Sequence, residues 1–512
     1  MAYRMILGAA TLALAATAPA QTGTWEDIGA GSGSLPGIMR LSEFDDAVPA
    51  TNRREYFPRL AVVQEQLPVL LFNSSTTNLA FNRNTTHAVA WSGTAWAFLS
   101  SASGGRVLPG IETWPGTGVS IAATADQLFA GARGTVNRIA ADANAAAFDS
   151  SGVWEPRGTS LADGGITLAD SLETQTYEVA AGIAPNGSPA LVYTKGPALQ
   201  HELYFAFFNG TAWIGLGGSH TTPIATSPND TVTNLHPAIA YLGNDPVVFW
   251  TRRQNISETV LALRWSTTNG AWGPLTGTVS PTVVGLGRRP QAAQLSGSPQ
   301  FHLAFENLTD NSLKLLLWNG TALVDDGNPL APWDLTAIAP LNDVAPSAPD
   351  PAASSIALAL DSFERPLVAF RAESPADSGE YQIFVSWKDE RARWAAIGDK
   401  TTGTGSSGVD YSLEGIARKV LGAHAPTLSI AEDNRPVLAW DFDNGIAAQA
   451  ILVKRWSNPL FIRKPEPAVA FRQAIDRILG RIPSDPIFEF TLDENVDGKI
   501  DAADVRRIFL LL

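Results

Sequence analysis

The sequence predicts an all-β fold in which one four-stranded unit is repeated about seven times. Two of its signals recur in a fixed order. The first is a short alternating stretch with small central residues, as in PRLAV from Pro58, HPAIAY from His236 and RPQAAQ from Arg289. The second is a proline followed by an apolar run that ends in an aromatic residue, as in PVVFW from Pro246 and PVLAW from Pro436. Short apolar segments bounded by turn residues are typical of strands.

A third signal is a hairpin with an aromatic residue on each side of its turn. AWSGTAW contains Trp91 and Trp96, and FFNGTAW contains Phe208 and Trp213. Asn-Gly and Ser-Gly favour tight hairpins because glycine readily adopts positive φ. We expect the paired aromatics to pack across strands or between neighbouring sheets, as part of the core.

A unit of four short strands that recurs every fifty to seventy residues is typical of β-propeller blades, and about seven such units are present here. The last unit runs from Ala425 to Trp456 and lacks a fourth strand. GTWEDIGAGSGS around Trp25 matches GTAWIGLGGSHT around Trp213, so the N-terminal segment is expected to supply that strand. We therefore predict a seven-bladed β-propeller over residues 21–462, closed by an N-terminal strand. A diverged unit around residues 115–160 leaves six or eight blades open.

The repeat, with its proline, apolar run and paired tryptophans, resembles repeats of exported bacterial propeller proteins over about residues 22–460. It differs from the repeats of WD40, kelch and sialidase propellers. The resemblance implies the fold and no particular activity.

The N-terminus predicts export. Arg4 precedes an apolar segment, and Ala18 to Ala20 form a small-residue cleavage site, so residues 1–20 are interpreted as a signal peptide and Gln21 as the start of a secreted, periplasmic or extracellular chain. No later segment is apolar enough to span a membrane. The net charge of −14 argues against nucleic acid as a partner, and with no cysteine the chain must be stabilised without disulfides.

Residues 463–512 predict a small separate module. KPEP at 464–467 is typical of a linker, and AVAFRQAIDRILGRI at 468–482 has helical periodicity. The following loop, DENVDGKIDAAD, offers oxygen ligands at the spacing that calcium requires, and Gly498 permits its sharp turn. The candidate ligands are Asp493, Asn495, Asp497, Lys499 through its carbonyl, Asp501 and Asp504. An acidic turn capping a helix is the simpler alternative.

An aspartate closes this loop where EF-hands have glutamate, and the loop resembles a type I dockerin repeat over about 45 residues. The resemblance implies a calcium-stabilised docking module, with Ala502 and Ala503 facing a cohesin-like or cell-surface partner. Dockerins carry two loops, whereas a single intact loop is recognisable here.

Candidate ligand-binding residues lie at the start of the predicted innermost strands. His236 and His424 would approach one mouth of the central channel, with Arg288 and Arg289 on another blade. They could contact an anionic or sugar ligand, or two histidines could share a metal; solvated rim residues are the plainer interpretation. Catalytic residues cannot be assigned, since no catalytic motif has the right context.

Two functions remain open at this stage. The first is a secreted propeller that binds a glycan or protein ligand through its loops, with the C-terminal module as anchor. The second is an extracellular carbohydrate-active enzyme, a glycosidase or lyase of polysaccharide catabolism, with catalytic carboxylates at the channel mouth and a dockerin tail. The missing catalytic motif favours binding.

Overall fold

The computed structural model describes twenty-five separate stretches of the chain. They are residues 25–28, 38–39, 53–63, 67–76, 84–91, 96–98, 107–113, 119–123, 128–136, 140–148, 154–156, 175–197, 200–229, 231–339, 354–373, 381–389, 391–398, 426–431, 434–443, 449–457, 459–460, 467–479, 481, 502 and 505–506.

Within these stretches the protein is an all-β propeller of antiparallel sheets. We number the sheets by the position of their first strand in the chain. Two short N-terminal strands, β1 (Trp25–Asp27) and β2 (Ile38–Met39), join the last sheet. Sheet 1 contains β3 (Arg53–Val63), β4 (Leu67–Thr76), β5 (Asn84–Trp91), β6 (Trp96–Phe98) and β7 (Val107–Thr113). Sheet 2 contains β8 (Val119–Ala123), β9 (Leu128–Val136), β10 (Ala140–Phe148) and β11 (Trp154–Pro156). Sheet 3 contains β12 (Gln175–Ile183), β13 (Pro189–Gly196), β14 (Glu202–Phe208) and β15 (Trp213–Ile214).

Four further sheets follow along the chain. Sheet 4 contains β16 (Val232–Leu242), β17 (Asp245–Gln254), β18 (Ser257–Ser266), β19 (Ala271–Pro274) and β20 (Thr282–Leu286). Sheet 5 contains β21 (Arg288–Ala293), β22 (His302–Asn307), β23 (Ser312–Trp318) and β24 (Leu323–Asp325). Sheet 6 contains β25 (Ile356–Leu360), β26 (Pro366–Glu373), β27 (Tyr381–Lys388) and β28 (Trp394–Ala396). Sheet 7 contains β29 (Thr427–Ile430), β30 (Pro436–Asp443) and β31 (Gln449–Trp456), together with β1 and β2.

In every sheet except sheet 2, the second strand carries the apolar run that follows the proline. In β17 the run Val247 to Trp250 is fully buried, and in β4 Leu70, Leu71 and Phe72 are equally inaccessible. A strand reads as continuously apolar when both of its faces are covered. Here the covering layers are the neighbouring sheets, so the core lies between sheets and is shared by them.

The first strands of successive sheets contact one another around the propeller. Such contacts link β3 to β8, β8 to β12, β12 to β16, β16 to β21, β21 to β25, β25 to β29, and β29 back to β3. One apolar cluster joins Leu60 and Phe72 of sheet 1 to Val437 and Val453 of sheet 7, so the two ends of the repeat region share a core.

The N-terminal segment completes sheet 7, which confirms that part of the prediction. β1 pairs antiparallel with β31, and Trp25 lies opposite Trp456 with ring centroids 5.4 Å apart. The propeller thereby removes the open edge that β31 would otherwise present.

A repeated hydrogen bond explains the outer tryptophan of the hairpins. Its indole N–H donates to a backbone carbonyl of the preceding sheet. Along the chain, the acceptor residue comes three positions after the residue that corresponds to the outer tryptophan in that sheet. The pairs are Trp96 Nε1 to Ile28 O at 3.1 Å, Trp272 Nε1 to Leu216 O at 3.2 Å, Trp394 Nε1 to Asp326 O at 3.3 Å, and Trp25 Nε1 to Ile397 O at 3.1 Å. We call these bonds the tryptophan latches. The aromatics are thus core residues, as predicted, and they also fasten one sheet to the next.

Helix α1 (Pro467–Ile478) follows the last sheet, where helical periodicity predicts it. Ala474 is fully buried, while Ile478 and Leu479 are about half exposed. In the part of the chain that is described, no helix has the length and apolarity needed to cross a membrane.

Candidate functional site

Three of the four predicted ligand residues lie together near the start of the first strands of sheets 4 and 5. His236 and Arg289 have φ values of 51° and 54°, and each stands directly before a proline. The strand register shifts at both places, between Leu235 and Ala238 and between Arg288 and Gln291. These are β-bulges, which re-aim side chains and leave a backbone N–H without its ladder partner.

Side chains from the neighbouring sheet accept those bulge N–H groups. The backbone N of His236 donates to Glu178 Oε2 of sheet 3, and that of Arg289 donates to Thr251 Oγ1 of sheet 4 at 3.0 Å. Ser355, which directly precedes β25 and is not part of a bulge, also donates its backbone N–H to a side chain of the neighbouring sheet, Glu306 Oε1 at 3.2 Å. The bulges therefore join adjacent sheets at this end of the first strands.

A chain of ion pairs continues across sheets 4 and 5, and we call it the arginine–glutamate network. Arg253 Nη2 lies 2.6 Å from Glu258 Oε1, and Glu258 Oε2 lies 3.6 Å from Arg288 Nη1. Arg288 Nε lies 2.8 Å from Glu306 Oε2, and Arg289 Nη1 lies 3.4 Å from Glu306 Oε1. Ser355 Oγ adds a 2.7 Å hydrogen bond to Glu306, which ties in sheet 6.

Burial decides what this network can do. Glu306 is 0% exposed and Arg289 is 2% exposed. Burial alone would raise the pKa of Glu306, but Arg289, Arg288 and the Ser355 hydroxyl outweigh it and hold the pKa below its usual value. Glu306 is therefore a carboxylate at neutral pH and is poorly suited to act as a general acid.

His236 experiences the opposite balance. Burial lowers its pKa, and the positive charges of Arg289, Arg253 and Arg288 lower it further, so the ring is neutral at pH 7. Its Nε2 lies 4.0 Å from Glu178 Oε1. Three guanidinium groups thus lie close enough to the imidazole to disfavour its protonation.

Arg252 lies beside this network and differs from it in its partners. Its Nε contacts Asn234 Oδ1 at 3.4 Å, and no described carboxylate pairs with it. Strand register places Asn234, Arg252, Thr259 and Leu286 side by side across β16, β17, β18 and β20. We call these four residues the Arg252 row. Asn234 is fully buried, Arg252 and Thr259 are half-buried, and Leu286 is 60% exposed.

The later residues of the first strands line a cavity of about 470 Å³ at the other end of these strands. All seven first strands contribute, with side chains such as Leu60, Ile121, Ile183, Ile239, Leu358 and Ile430. Aliphatic side chains are prominent in the wall, and Tyr241, Gln294 and Ser429 add polar groups to it. The two ends of the first strands differ, since the arginines lie at the opposite end.

The remaining predicted site residues lie largely outside the described part of the chain. This applies to His424, to the calcium-loop residues Asp493, Asn495, Asp497, Lys499, Asp501 and Asp504, and to Ala503. Ala502 is described as helical and exposed. Among the residues described, no group of three or more histidine or acidic side chains could hold a metal ion.

Sequence reasoning missed the acidic half of the network and the Arg252 row. A local signal for part of it exists, because Thr251 and Glu306 each directly follow the aromatic that ends the apolar run of the second strand. Each of these side chains accepts a backbone N–H from the next sheet or the segment just before it, which becomes apparent once the sheets are placed in order.

Comparisons with known proteins identify no relative by sequence. No protein-family profile matches the chain, and no curated protein is significantly similar to it. Among solved structures, a protein of unknown function from Dyadobacter fermentans has a TM-score of 0.39 at 10% identity, over 82% of this chain and 99% of that one. A fucose-specific lectin from Aleuria aurantia has a TM-score of 0.38 at 13% identity, over 69% and 99%. An α-L-arabinofuranosidase from Fusarium graminearum has 0.37 at 9% identity, over 66% and 92%. Similarity this distant does not bear on function.

Proposed function

We propose that this protein is a binding propeller that takes a glycan or protein ligand at its arginine-rich end. The observation that carries the proposal is the cluster of four arginines there. Arg252, Arg253, Arg288 and Arg289 lie near the start of the first strands on a chain of net charge −14. A local field opposite to the overall charge is typical of a surface that attracts a ligand.

The four residues predicted to contact ligand divide by burial. Arg289 and His236 are buried, and the Arg288 side chain is 11% exposed, so we propose that these three shape the site from beneath. Ligand contact then falls to Arg252 and to Arg253, whose side chain is 32% exposed. His424 stays a candidate on the strength of its sequence position.

Binding is better supported than hydrolysis. A glycosidase needs two carboxyl groups, one of them with a raised pKa. Near these arginines, Glu258 and Glu306 are engaged in ion pairs, Glu178 accepts the bulge N–H of His236, and the pKa of Glu306 is lowered. These three carboxyl groups are therefore committed to structural contacts, which supports binding over hydrolysis.

We further propose seven blades, one for each sheet, in a single closed ring. The successive contacts between first strands, and a cavity to which all seven contribute, support that number. Export through residues 1–20 is proposed on the sequence of the N-terminus.

The C-terminal module is proposed to bind calcium through the loop at 493–504 and to anchor the protein to a cohesin-like or cell-surface partner. Ligand spacing supports calcium. Calorimetric titration of calcium into residues 21–512 should show one site that the Asp493→Ala/Asp497→Ala variant loses. An unchanged titration in that variant would disprove the assignment.

Affinity electrophoresis of residues 21–512 in gels containing neutral or acidic polysaccharides tests the function, alongside assays for new reducing ends and unsaturated uronates. We expect at least one polysaccharide to retard the protein without being cleaved. Release of reducing ends would indicate a glycosidase, and release of unsaturated uronates would indicate a lyase. If no polysaccharide retards or is cleaved by the protein, the glycan part of the proposal is wrong.

A further inference from the structure

The Arg252 row contains a half-buried guanidinium that no described carboxylate neutralises. A half-buried guanidinium has lost part of its hydration, and burial lowers the pKa of Arg252. The other arginines nearby are compensated, because Arg253 and Arg288 both pair with Glu258. Arg252 has only the neutral amide oxygen of Asn234, at 3.4 Å, among the side chains described. An anion supplied from outside would offset this cost.

The guanidinium is held in place from below. Asn234 Nδ2 donates to the backbone oxygens of His201, Thr226 and Ala225 at 2.9, 3.3 and 3.4 Å. Asn234 Oδ1 accepts a 2.8 Å hydrogen bond from Trp250 Nε1 as well as the contact from Arg252. The amide is thereby fixed in one orientation. An arginine positioned in advance loses less conformational entropy when it binds a ligand.

The rest of the row indicates which kind of anion fits. Thr259 follows Arg252 in register and offers a hydroxyl, and exposed Leu286 follows Thr259. The row therefore presents, in order, a two-pronged donor for a planar oxyanion, a hydroxyl that can donate or accept, and an aliphatic surface. A uronic acid residue carries the matching groups, namely a carboxylate, hydroxyls and an apolar C–H face.

We propose that the Arg252 row binds the carboxylate of an acidic saccharide, with Arg252 as the residue that selects for charge. This deepens the proposed function and rests on it. Arg252 would receive the carboxylate through its Nη groups, Thr259 would contact a ring hydroxyl, and Leu286 would cover the C–H face. Asn234 acts as a positioning residue.

The test compares matched ligands. Oligosaccharides of galacturonate, of mannuronate and guluronate, and of glucuronate are titrated into residues 21–512, each beside its methyl ester, which keeps the sugar and removes the charge. We expect at least one acidic form to bind tenfold or more tightly than its ester, and added salt to weaken that binding. Arg252→Gln should lose this preference, and Arg252→Lys should retain part of it.

A control arginine is available in the same sheet. Arg264 of β18 has a side chain 37% exposed and pairs with Asp245 at 3.0 Å, toward the other end of the strands. Arg264→Gln should bind the acidic ligand as the wild type does. Thermal unfolding of each variant without ligand shows whether a loss of binding reflects a loss of folding.

Each outcome is decisive. If an acidic saccharide and its ester bind equally, or only neutral sugars bind, Arg252 does not select charge and this inference is wrong while a glycan-binding function stands. If charge matters but Arg252→Gln binds as the wild type does, the site lies elsewhere. If no saccharide binds, acidic or neutral, both this inference and the glycan-binding function are wrong.

Discussion

Removing the charge of Glu306 should be among the most damaging single changes to this propeller. Glu306 is fully buried and pairs with Arg288 and Arg289, and it also accepts from Ser355 of the next sheet. Glu306→Gln keeps the size of the side chain but removes the carboxylate that pairs with Arg289, which is 2% exposed. Breaking a buried ion pair by removing one partner costs about 3–5 kcal/mol.

That cost translates into a measurable change in melting temperature. Unfolding entropy is about 2.1 cal/mol/K per residue, so a propeller of about 430 residues that unfolds as one unit has roughly 0.9 kcal/mol/K. A loss of about 3–5 kcal/mol then lowers Tm by roughly 3–6 °C in scanning calorimetry at pH 7. Asp325→Asn is the matched control, because Asp325 forms an exposed pair with Lys314 and should cost below about 1 kcal/mol.

The pH dependence gives a second readout. Because the folded pKa of Glu306 lies below 4.5, its stabilising contribution is complete above about pH 4.5 and is lost as pH falls through the lowered value. The difference in stability between wild type and Glu306→Gln should therefore narrow in strongly acidic buffer. A Tm equal to that of Asp325→Asn at pH 7 would refute the reasoning. Replacing the pair with apolar side chains, Arg289→Met with Glu306→Leu, should recover much of the loss.

Three other changes test separate features of the fold. The wild type should lose stability as pH falls below about 6.5, because His236 binds a proton in the unfolded chain but stays neutral in the folded protein. His236→Gln should reduce the slope of that loss by up to roughly 1.4 kcal/mol per pH unit. Equal slopes for the two proteins in urea titrations would argue against a depressed pKa. Trp25→Phe removes one tryptophan latch and should cost about 0.5–1.5 kcal/mol beyond lost packing; an unchanged urea midpoint would show that the latch contributes nothing. Gly182→Val should lower the free energy of unfolding by about 1–3 kcal/mol, because a Cβ there would lie 2.7 Å from the Ile239 side chain of the neighbouring first strand. In the same urea titrations Gly273→Val should be nearly neutral, since its Cβ would lie in open space.

Features encoded within a short stretch of chain could be predicted from the sequence, and features that join separate sheets could not. The hairpin aromatics Trp91 and Trp96 pair as expected, with centroids 5.5 Å apart, because a turn of a few residues fixes their register. The closure by Trp25 could be predicted because the segment repeats the pattern around Trp213.

The partners of Arg289 illustrate what the sequence does not reveal. As an arginine before a proline it could equally be a solvated rim residue. Its burial depends on Glu306 of the adjacent strand and on Thr251 of the preceding sheet. The half-strands β7 and β20, which extend the outer edge of sheets 1 and 4, were also missed, since five residues such as Thr282–Leu286 carry no distinctive pattern.

The latch between Trp25 and Ile397 has a consequence for the order of folding. Its two partners are separated by 372 positions, and β1 pairs with β31, the last strand of the repeat region. Almost the whole chain must therefore be synthesised before β1 can pair with β31. Earlier sheets can assemble on their neighbours as they are made, but they form an open arc. Contacts between distant parts of a chain form slowly. Until the arc closes, the edge of β31 stays available to any other strand that arrives first, so the interval between synthesis and closure is the period in which this protein is most exposed to mispairing.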